Sequence, residues 1–183
     1  GCIGLCSAEP LLDVQLPGKA RVSFQKVTED KVPGLLDECF HNHLSGAHVL
    51  GQFQNKNLEY WENVPIINDL PFFKNQQRLL LCDCGEVAPE SLDEYLAREG
   101  YVSFVKTILN YPPDEVCEMM VQSGLRGRGG GGFLTGSKWK QIRSTGSEQK
   151  YLVCNADESD PGAYMDRTLV EGNPHRLIEG IAI

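Results

Sequence analysis

The chain has 183 residues, of which 41% are apolar, and its 17 Lys and Arg against 25 Asp and Glu give a formal net charge of −8. This acidic balance excludes a protein that binds nucleic acid or an anionic membrane through clustered cations. No apolar run approaches the roughly 18 residues that span a bilayer, so we expect no membrane insertion. An odd count of seven cysteines, without a signal-peptide pattern, indicates reduced thiols or metal ligands and a cytoplasmic location.

Both ends of the sequence have the features expected of a piece of a longer chain. The chain begins with Gly1 rather than Met, and residues 177–183 stop within an apolar pattern that has no terminator. At this length one domain, or one domain plus a piece of another, is the expectation. The sequence therefore predicts a fragment of a longer subunit.

The predicted elements begin with a β-hairpin. Residues 1–24 alternate apolar and polar side chains around proline and glycine turns. Residues 25–50 carry one helical pattern ending near Gly46, and the polar, turn-rich residues 51–78 indicate a linker. Periodicity then predicts a buried strand at 78–82, an apolar strand at 151–154 and helices at 113–122 and 137–143. A further helix is predicted to start within 89–96, with Pro89 in its first turn. The last predicted helix is capped by Asn173 and has Pro174 at its first position.

A glycine-rich segment, residues 124–136, holds seven of the 19 glycines. Glycines let a backbone approach an anion closely, and a following helix N-terminus adds positive potential. Arg126 and Arg128 lie within the segment and Lys138 follows it, which favours a phosphate-binding loop over a flexible linker, since linkers lack such nearby cations. The preceding helix disfavours a Rossmann dinucleotide fingerprint, and the order Ser137-Lys138 excludes a Walker P-loop.

Polar and acidic side chains follow the predicted strand at 151–154. Asn155, Asp157, Glu158 and Asp160 stand where ligands bind at strand ends, and they can accept hydrogen bonds from ribityl or ribose hydroxyls or flavin N–H groups. A solvated turn and a metal site remain open alternatives for these residues.

Cys2 and Cys6 are close enough in sequence to serve an iron–sulfur cluster or zinc. A 2Fe-2S cluster needs four ligands, so the chain offers half a site, and two ordinary thiols are the alternative. No serine or cysteine with a histidine base indicates a hydrolase.

One combination of motifs is more specific than its parts. It comprises Ser123-Gly-Leu-Arg-Gly-Arg-Gly-Gly-Gly-Gly-Phe133, Thr135-Gly-Ser-Lys-Trp139, Tyr151-Leu-Val-Cys-Asn-Ala-Asp-Glu158, Asp160-Pro-Gly162, Asp166-Arg167 and Pro174-His175. This combination resembles the flavin-bearing, NADH-oxidising subunit of respiratory complex I and its relatives in soluble hydrogenases and formate dehydrogenases. Residues 1–10 and 160–167 resemble the hydrogenase and formate dehydrogenase branch most.

The resemblance implies an α/β fold, in which part of a Rossmann-like FMN-binding domain follows the C-terminal remnant of a thioredoxin-like 2Fe-2S domain. It implies a remnant at 1–24, a connecting segment at 25–78 and the N-terminal part of the FMN- and NAD-binding domain at 79–183.

The implied function is FMN-mediated electron transfer: NADH or NADPH gives a hydride to the flavin, and reduced FMN passes electrons to iron–sulfur clusters. The protein supplies orientation and electrostatics. The residues implied for FMN are Gly127, Gly129, Gly130, Lys138, Asn155, Asp157 and Glu158. Phe133 would stack on the adenine of the dinucleotide, and Glu158 and Asp160, the implied catalytic residues, would lie near the nicotinamide. Cys2 and Cys6 would hold half of the 2Fe-2S cluster.

Further implied cofactors are NAD(P) and a 4Fe-4S cluster that lies outside these residues. The implied partners are a thioredoxin-like 2Fe-2S subunit and a hydrogenase or formate dehydrogenase catalytic subunit. The intact subunit would be an NADH:acceptor oxidoreductase, whereas the fragment alone is expected to be inactive. Leu134, Ser137 and Gln141 depart from the residues usual in the family, which affects nucleotide binding more than FMN binding. The alternative is a non-catalytic remnant that acts as a binding or assembly module.

Overall fold

A small antiparallel sheet organises the first of two structural units. The computed structural model describes residues 2–183, which divide into a unit that ends at Glu86 and a unit that spans Val87–Ile183. The sheet has the order β1 (Leu12–Val14), β2 (Val22–Phe24), β3 (Val49–Gln52). The predicted hairpin is confirmed, because β1 and β2 pair antiparallel with Leu12 opposite Phe24.

The central strand β2 is buried along its whole length. The core around it joins the sheet to helix α1 (Val32–Phe40), through Leu35 and Cys39. Helix α1 confirms the helical pattern of residues 25–50, although it ends at Phe40 rather than near Gly46. A second apolar cluster of the same unit contains Ile3, Leu50, Phe53, Ile67 and Phe73.

Strand β3 was not predicted, because its sequence Val-Leu-Gly-Gln shows no alternation. Its last residue, Gln52, is buried and uses its whole side-chain amide. Gln52 Nε2 donates to the carbonyls of Trp61 and Val64, and Gln52 Oε1 accepts from Trp61 N. A fully satisfied buried amide fixes its neighbours, so the polar residues after β3 are held against the sheet.

The strand predicted at 78–82 is wrong. These residues form turns, and the side chains of Leu79 and Leu80 are 70% and 55% exposed. A short apolar run becomes a buried strand only if a neighbouring strand pairs with it. Here Arg78 instead donates from Nη2 to the carbonyl of Ile3 at 3.0 Å, which fixes the start of the segment in a turn.

The second unit consists of six helices and irregular segments. The helices are α2 (Leu92–Ala97), α3 (Val102–Asn110), α4 (Pro113–Gln122), α5 (Thr135–Arg143), α6 (Met165–Gly172) and α7 (Pro174–Ala182). Helices α4 and α7 begin where the sequence predicts them, and α5 begins two residues earlier than predicted. Asn173 caps α7 as expected, because its Oδ1 accepts from Arg176 N. Helix α2 begins at Leu92 with Ser91 as its cap, so Pro89 precedes the helix instead of occupying its first turn.

The strand predicted at 151–154 is also wrong. Residues 151–154 carry no strand pairing, and Tyr151 and Val153 are 84% and 86% exposed. Within Val87–Ile183 no strand is present to pair with this segment. Its apolar composition predicts burial, but burial in a sheet needs a neighbour that supplies hydrogen bonds.

Two helices lack the usual start signals and were missed. Helices α3 and α6 follow Tyr101 and Tyr164, which have φ of 61° and 55° and no side-chain cap of their own. The sequence therefore shows no Ser, Thr, Asp or Asn at the N-cap positions of these two helices. Together the sheet and the helices give the α/β class that the resemblance implies.

None of the helices within residues 2–183 combines the length and the apolar character needed to cross a bilayer; the longest, α4, has 10 residues.

Candidate functional site

The glycine-rich segment forms a loop with a closed neck between α4 and α5. Gly127 N donates to Phe133 O at 2.8 Å, and Thr135 N donates to Leu125 O at 2.9 Å. Arg126 and Leu134 form an antiparallel bridge between these two hydrogen bonds. The neck gives the loop a defined geometry, which a flexible linker would not have.

The tip of the loop has a backbone that only glycine adopts readily. Gly130 and Gly132 have φ of 102° and 59°, in the region that side chains rarely occupy. No atom lies within 4 Å of the space that a Cβ would occupy at any of residues 129–132. The loop tip is therefore exposed and open to a close approach by a ligand.

The two arginines of the loop bind its own carbonyls. Arg126 Nη1 donates to Gly132 O at 2.9 Å, and the Arg128 guanidinium donates to Arg126 O. The ammonium group of Lys138, in the first turn of α5, has no hydrogen bond or ion pair within residues 2–183. Lys138 is therefore the cation of this region that stays available for an anion.

Lys138 faces a cavity of about 710 Å³ in the second unit. Gly127, Phe133 and Trp139 line the cavity beside it, with residues 150–153 and 180–183 on other parts of the wall. Pockets that hold small molecules and cofactors measure about 300–1,000 Å³ and combine aromatic walls with a few polar groups. The cavity therefore matches a planar aromatic ligand that carries an anionic group.

A close approach between two helices sets the position of Lys138. A Cβ on Gly136 would clash with the backbone nitrogen of Val121, so only glycine lets the first turn of α5 touch the backbone of α4. Ion pairs between Lys140 and Glu118 and between Arg143 and Asp114 continue this contact along the two helices. The sequence interpretation missed this role because it assigned Gly136 to the loop, one residue before the predicted helix at 137–143.

The acidic segment, residues 155–160, does not line the cavity. Asn155 Oδ1 accepts from Asp157 N at 2.9 Å in an exposed turn, and Asp160 is also exposed. The wall of the cavity includes residues 150–153 but none of Asn155, Asp157, Glu158 and Asp160, and Gly129 and Gly130 lie outside it at the loop tip. Of the residues predicted for cofactor binding, the structure brings together Gly127, Phe133 and Lys138.

Glu158 caps helix α6. Its two carboxylate oxygens accept from Asp166 N at 2.8 Å and Arg167 N at 2.9 Å, and its own φ is 45°. Burial alone would raise the pKa of Glu158, but the hydrogen bonds from the backbone N–H groups of α6 outweigh it and lower the pKa. The carboxylate is therefore anionic at neutral pH and engaged by the helix N-terminus.

The first unit places Cys2 and Cys6 together. Their Sγ atoms and a carboxylate oxygen of Glu9 all lie within 4.8 Å of one another, with Cys2 buried and Cys6 exposed. Gly4 N donates to Cys2 Sγ at 3.3 Å, and Cys2 Sγ donates to Glu9 Oε1 at 3.4 Å. Two sulfurs and an oxygen at this separation fit a soft metal ion or an iron–sulfur cluster. Glu9 was missed, although a carboxylate three residues after Cys6 was visible in the sequence.

A comparison with known protein families covers the glycine loop and the helices that follow it. Residues 120–183 match the family described as the Nuo51 FMN-binding domain, and this range contains the glycine loop, Lys138 and α7. The glycine loop, α5 and most of the cavity wall thus lie in a segment related to FMN-binding domains.

Three curated relatives extend the match. The NADP-reducing hydrogenase subunit HndC of Solidesulfovibrio fructosivorans is 48% identical over 110 residues, which are 60% of this chain and 22% of that protein. An NADH-quinone oxidoreductase subunit of Rhizobium meliloti is 48% identical over 92 residues, 50% of this chain and 22% of that protein. An NADH-quinone oxidoreductase subunit of Aquifex aeolicus is 50% identical over 94 residues, 51% of this chain and 21% of that protein.

These comparisons confirm the resemblance to the flavoprotein subunits over about half of the chain. The chain spans about a fifth of the length of the curated relatives it matches.

Proposed function

We propose that the chain is part of an FMN- and iron–sulfur-dependent NAD(P)H oxidoreductase subunit that moves a hydride between NAD(P)H and FMN and electrons to iron–sulfur clusters. The observation that carries the proposal is the unpaired Lys138 ammonium at an aromatic-walled cavity of about 710 Å³, within the range related to FMN-binding domains. The names of the relatives, an NADP-reducing hydrogenase subunit and NADH-quinone oxidoreductase subunits, support the nicotinamide substrate and the partner subunits.

The residues of the cavity fit FMN. Lys138 would neutralise the phosphate, Gly127 would let the backbone come close to it, and the N–H groups of Gly129 and Gly130 would be further donors. Trp139 and Phe133 offer aromatic faces, of which Phe133 would take the adenine of the dinucleotide. When bound, FMN supplies the hydride and single-electron chemistry.

We propose that the acidic segment contributes to cofactor binding in the complete subunit rather than in the 183-residue chain. Asn155, Asp157 and Glu158 would accept hydrogen bonds from FMN, and Glu158 and Asp160 would lie near the nicotinamide. Since these groups lie outside the cavity wall of the 183-residue chain, we expect this chain to bind FMN weakly and not to oxidise NADH by itself.

Residues 1–24 would be the end of a thioredoxin-like 2Fe-2S domain, in which Cys2 and Cys6 supply two of four ligands. We propose cytoplasmic partners of the hydrogenase or formate dehydrogenase type, including a thioredoxin-like 2Fe-2S subunit, and a 4Fe-4S cluster outside these residues.

A titration of the 183-residue chain with FMN and with riboflavin tests the flavin site, with quenching of flavin fluorescence as the readout. Riboflavin lacks the phosphate. Lys138→Ala should weaken FMN binding about tenfold or more, as expected for a lost charged contact, and should leave riboflavin binding unchanged.

Lys140→Ala is the matched control, because Lys140 lies on the same helix but is paired with Glu118 and lies outside the cavity wall. The control should bind FMN like the parent chain. Equal FMN affinity in the Lys138 and Lys140 variants would overturn the assignment of the phosphate site.

A further inference from the structure

Helix α3 receives its N-terminal cap from another helix. Its own first residues supply no side-chain cap, and Tyr101, just before it, has a φ of 61°. Glu179 of α7 supplies the missing acceptors: Oε2 accepts from Tyr101 N at 3.0 Å, and Oε1 accepts from Phe104 N at 3.2 Å. A carboxylate at a helix N-terminus satisfies orphan N–H groups and interacts favourably with the helix dipole.

A tyrosine from α2 completes this contact. Tyr95 is buried and donates from its hydroxyl to Glu179 Oε2 at 2.5 Å. The tyrosine ring occupies the space that a Cβ on Gly100 would need, and it stacks on His175 with 5.4 Å between ring centroids. His175 Nδ1 also lies 3.1 Å from the hydroxyl oxygen of Tyr101. Helices α2 and α3 therefore hold α7 at Glu179 and His175.

The residues directly after Glu179 form a wall of the cavity. Gly180, Ile181, Ala182 and Ile183 line it together with Trp139 and Lys138 of α5. The side chains of α7 are otherwise half-buried or exposed, so they provide little apolar packing to fix the helix. The hydrogen bonds of Glu179 are thus a directional restraint on the position of this wall.

We propose that Glu179 is a positioning residue for the cavity, which it keeps in a shape that accepts FMN by holding α7 against the N-terminus of α3. Only the identity of the ligand rests on the proposed function, because the shape of the cavity can be measured without a ligand.

The protonation states of the two partners agree with this role. Burial acts to raise the pKa of Glu179, but hydrogen bonds from Tyr95 and from the backbone of α3 lower it overall, so the carboxylate is charged at neutral pH. Burial and the hydrogen bond to Glu179 raise the pKa of Tyr95, which keeps its hydroxyl as a donor.

The first test uses the 183-residue chain labelled with 5-fluorotryptophan and observed by fluorine NMR. The chain has two tryptophans, Trp61 in the first unit and Trp139 in the cavity wall, and Trp139→Phe assigns the two signals. Glu179→Gln should shift or broaden the Trp139 signal and leave the Trp61 signal in place. Tyr95→Phe should have a smaller effect in the same direction, and Glu179→Asp should restore part of the parent spectrum.

Ser91→Ala is the control for general destabilisation, because it removes the cap of α2 while leaving the Tyr95 hydroxyl and the Glu179 carboxylate intact. An unchanged Trp139 signal in Glu179→Gln, or an equal change in Ser91→Ala, would overturn the proposal.

The second test is the dissociation constant for FMN. Glu179→Gln should weaken FMN binding about two- to thirtyfold, the range of effects that residues outside a ligand contact exert on binding. Ser91→Ala should not weaken it. If the Trp139 signal responds to Glu179→Gln but the parent chain does not bind FMN, the proposed function fails and the positioning role stands. If the parent chain and Glu179→Gln bind FMN with equal affinity, the positioning role is wrong.

Discussion

The two units of the molecule achieve order in different ways. In the first unit a sheet strand is fully buried between its neighbours and α1, and the buried amide of Gln52 is satisfied by three hydrogen bonds. In the second unit an apolar segment, residues 151–153, is exposed, and the helices are held by caps and by the backbone contact at Gly136. The first unit depends on a core, whereas the second depends on a few directional contacts.

The largest effect should come from the core of the first unit. Phe24→Ala removes a ring that is fully buried in β2, and such truncations cost about 3–5 kcal/mol of unfolding free energy. Urea denaturation followed by tryptophan fluorescence measures the loss, in chains that also carry Trp139→Phe so that Trp61 alone emits. Phe133→Ala, at an exposed ring of the second unit, should change stability little; equal losses would contradict the contrast between the units.

Gly136 and Gly180 should respond with opposite signs to the same change. Gly136→Ala forces a methyl group against the backbone of α4 and should cost about 1–3 kcal/mol. Gly180→Ala adds a methyl group where nothing lies within 4 Å, inside α7, and should stabilise the helix by up to about 1 kcal/mol. Thermal unfolding monitored by circular dichroism measures both. A stabilising Gly136→Ala would show that α4 and α5 do not approach as closely as the structure shows.

A smaller effect should appear on acidification. Because the pKa of Glu179 is lower in the folded chain than its ordinary value of 4.5, its stabilising contribution is complete above pH 4.5 and is lost as the pH falls through the lowered folded-state pKa. The parent chain should therefore lose more stability between pH 5 and pH 3 than Glu179→Gln does. Denaturation midpoints across this range measure the difference, and parallel curves for the two chains would contradict it.

The smallest effect should come from the acidic segment. Asp157 lies in an exposed turn outside the cavity wall, so Asp157→Ala should leave FMN binding by the 183-residue chain within about twofold of the parent. The same titration that tests Lys138 measures this. A strong loss of FMN binding would show that residues 155–160 close over the cavity when the ligand binds.

Local signals in the sequence predicted most helices. Asn173 and Pro174 at the start of α7, and the apolar spacing of α4, are contained in a few adjacent residues, and both predictions are confirmed. Helices α3 and α6 were missed because their starts depend on acceptors from distant or non-adjacent residues, Glu179 and Glu158, which local patterns do not reveal.

The two failed strand predictions share one cause. Residues 78–82 and 151–154 are apolar and short, and such runs predict strands only on the assumption that a partner strand is present. The candidate site shows the same limit. The sequence alone indicated the chemistry of the glycine loop and Lys138. The contributions of Trp139 and residues 180–183 arise because α7 lies near α5, and that of Glu179 arises because α7 packs against the start of α3.

The loop tip contains two physically distinct kinds of glycine. At Gly130 and Gly132 the positive φ penalises any side chain, so the free protein itself requires glycine there. At Gly129 and Gly131 the backbone is ordinary and the surrounding space is open, so folding alone would accept alanine. A substitution library screened once for solubility and once for flavin retention would therefore separate the glycines that shape the loop from those that leave room for a ligand.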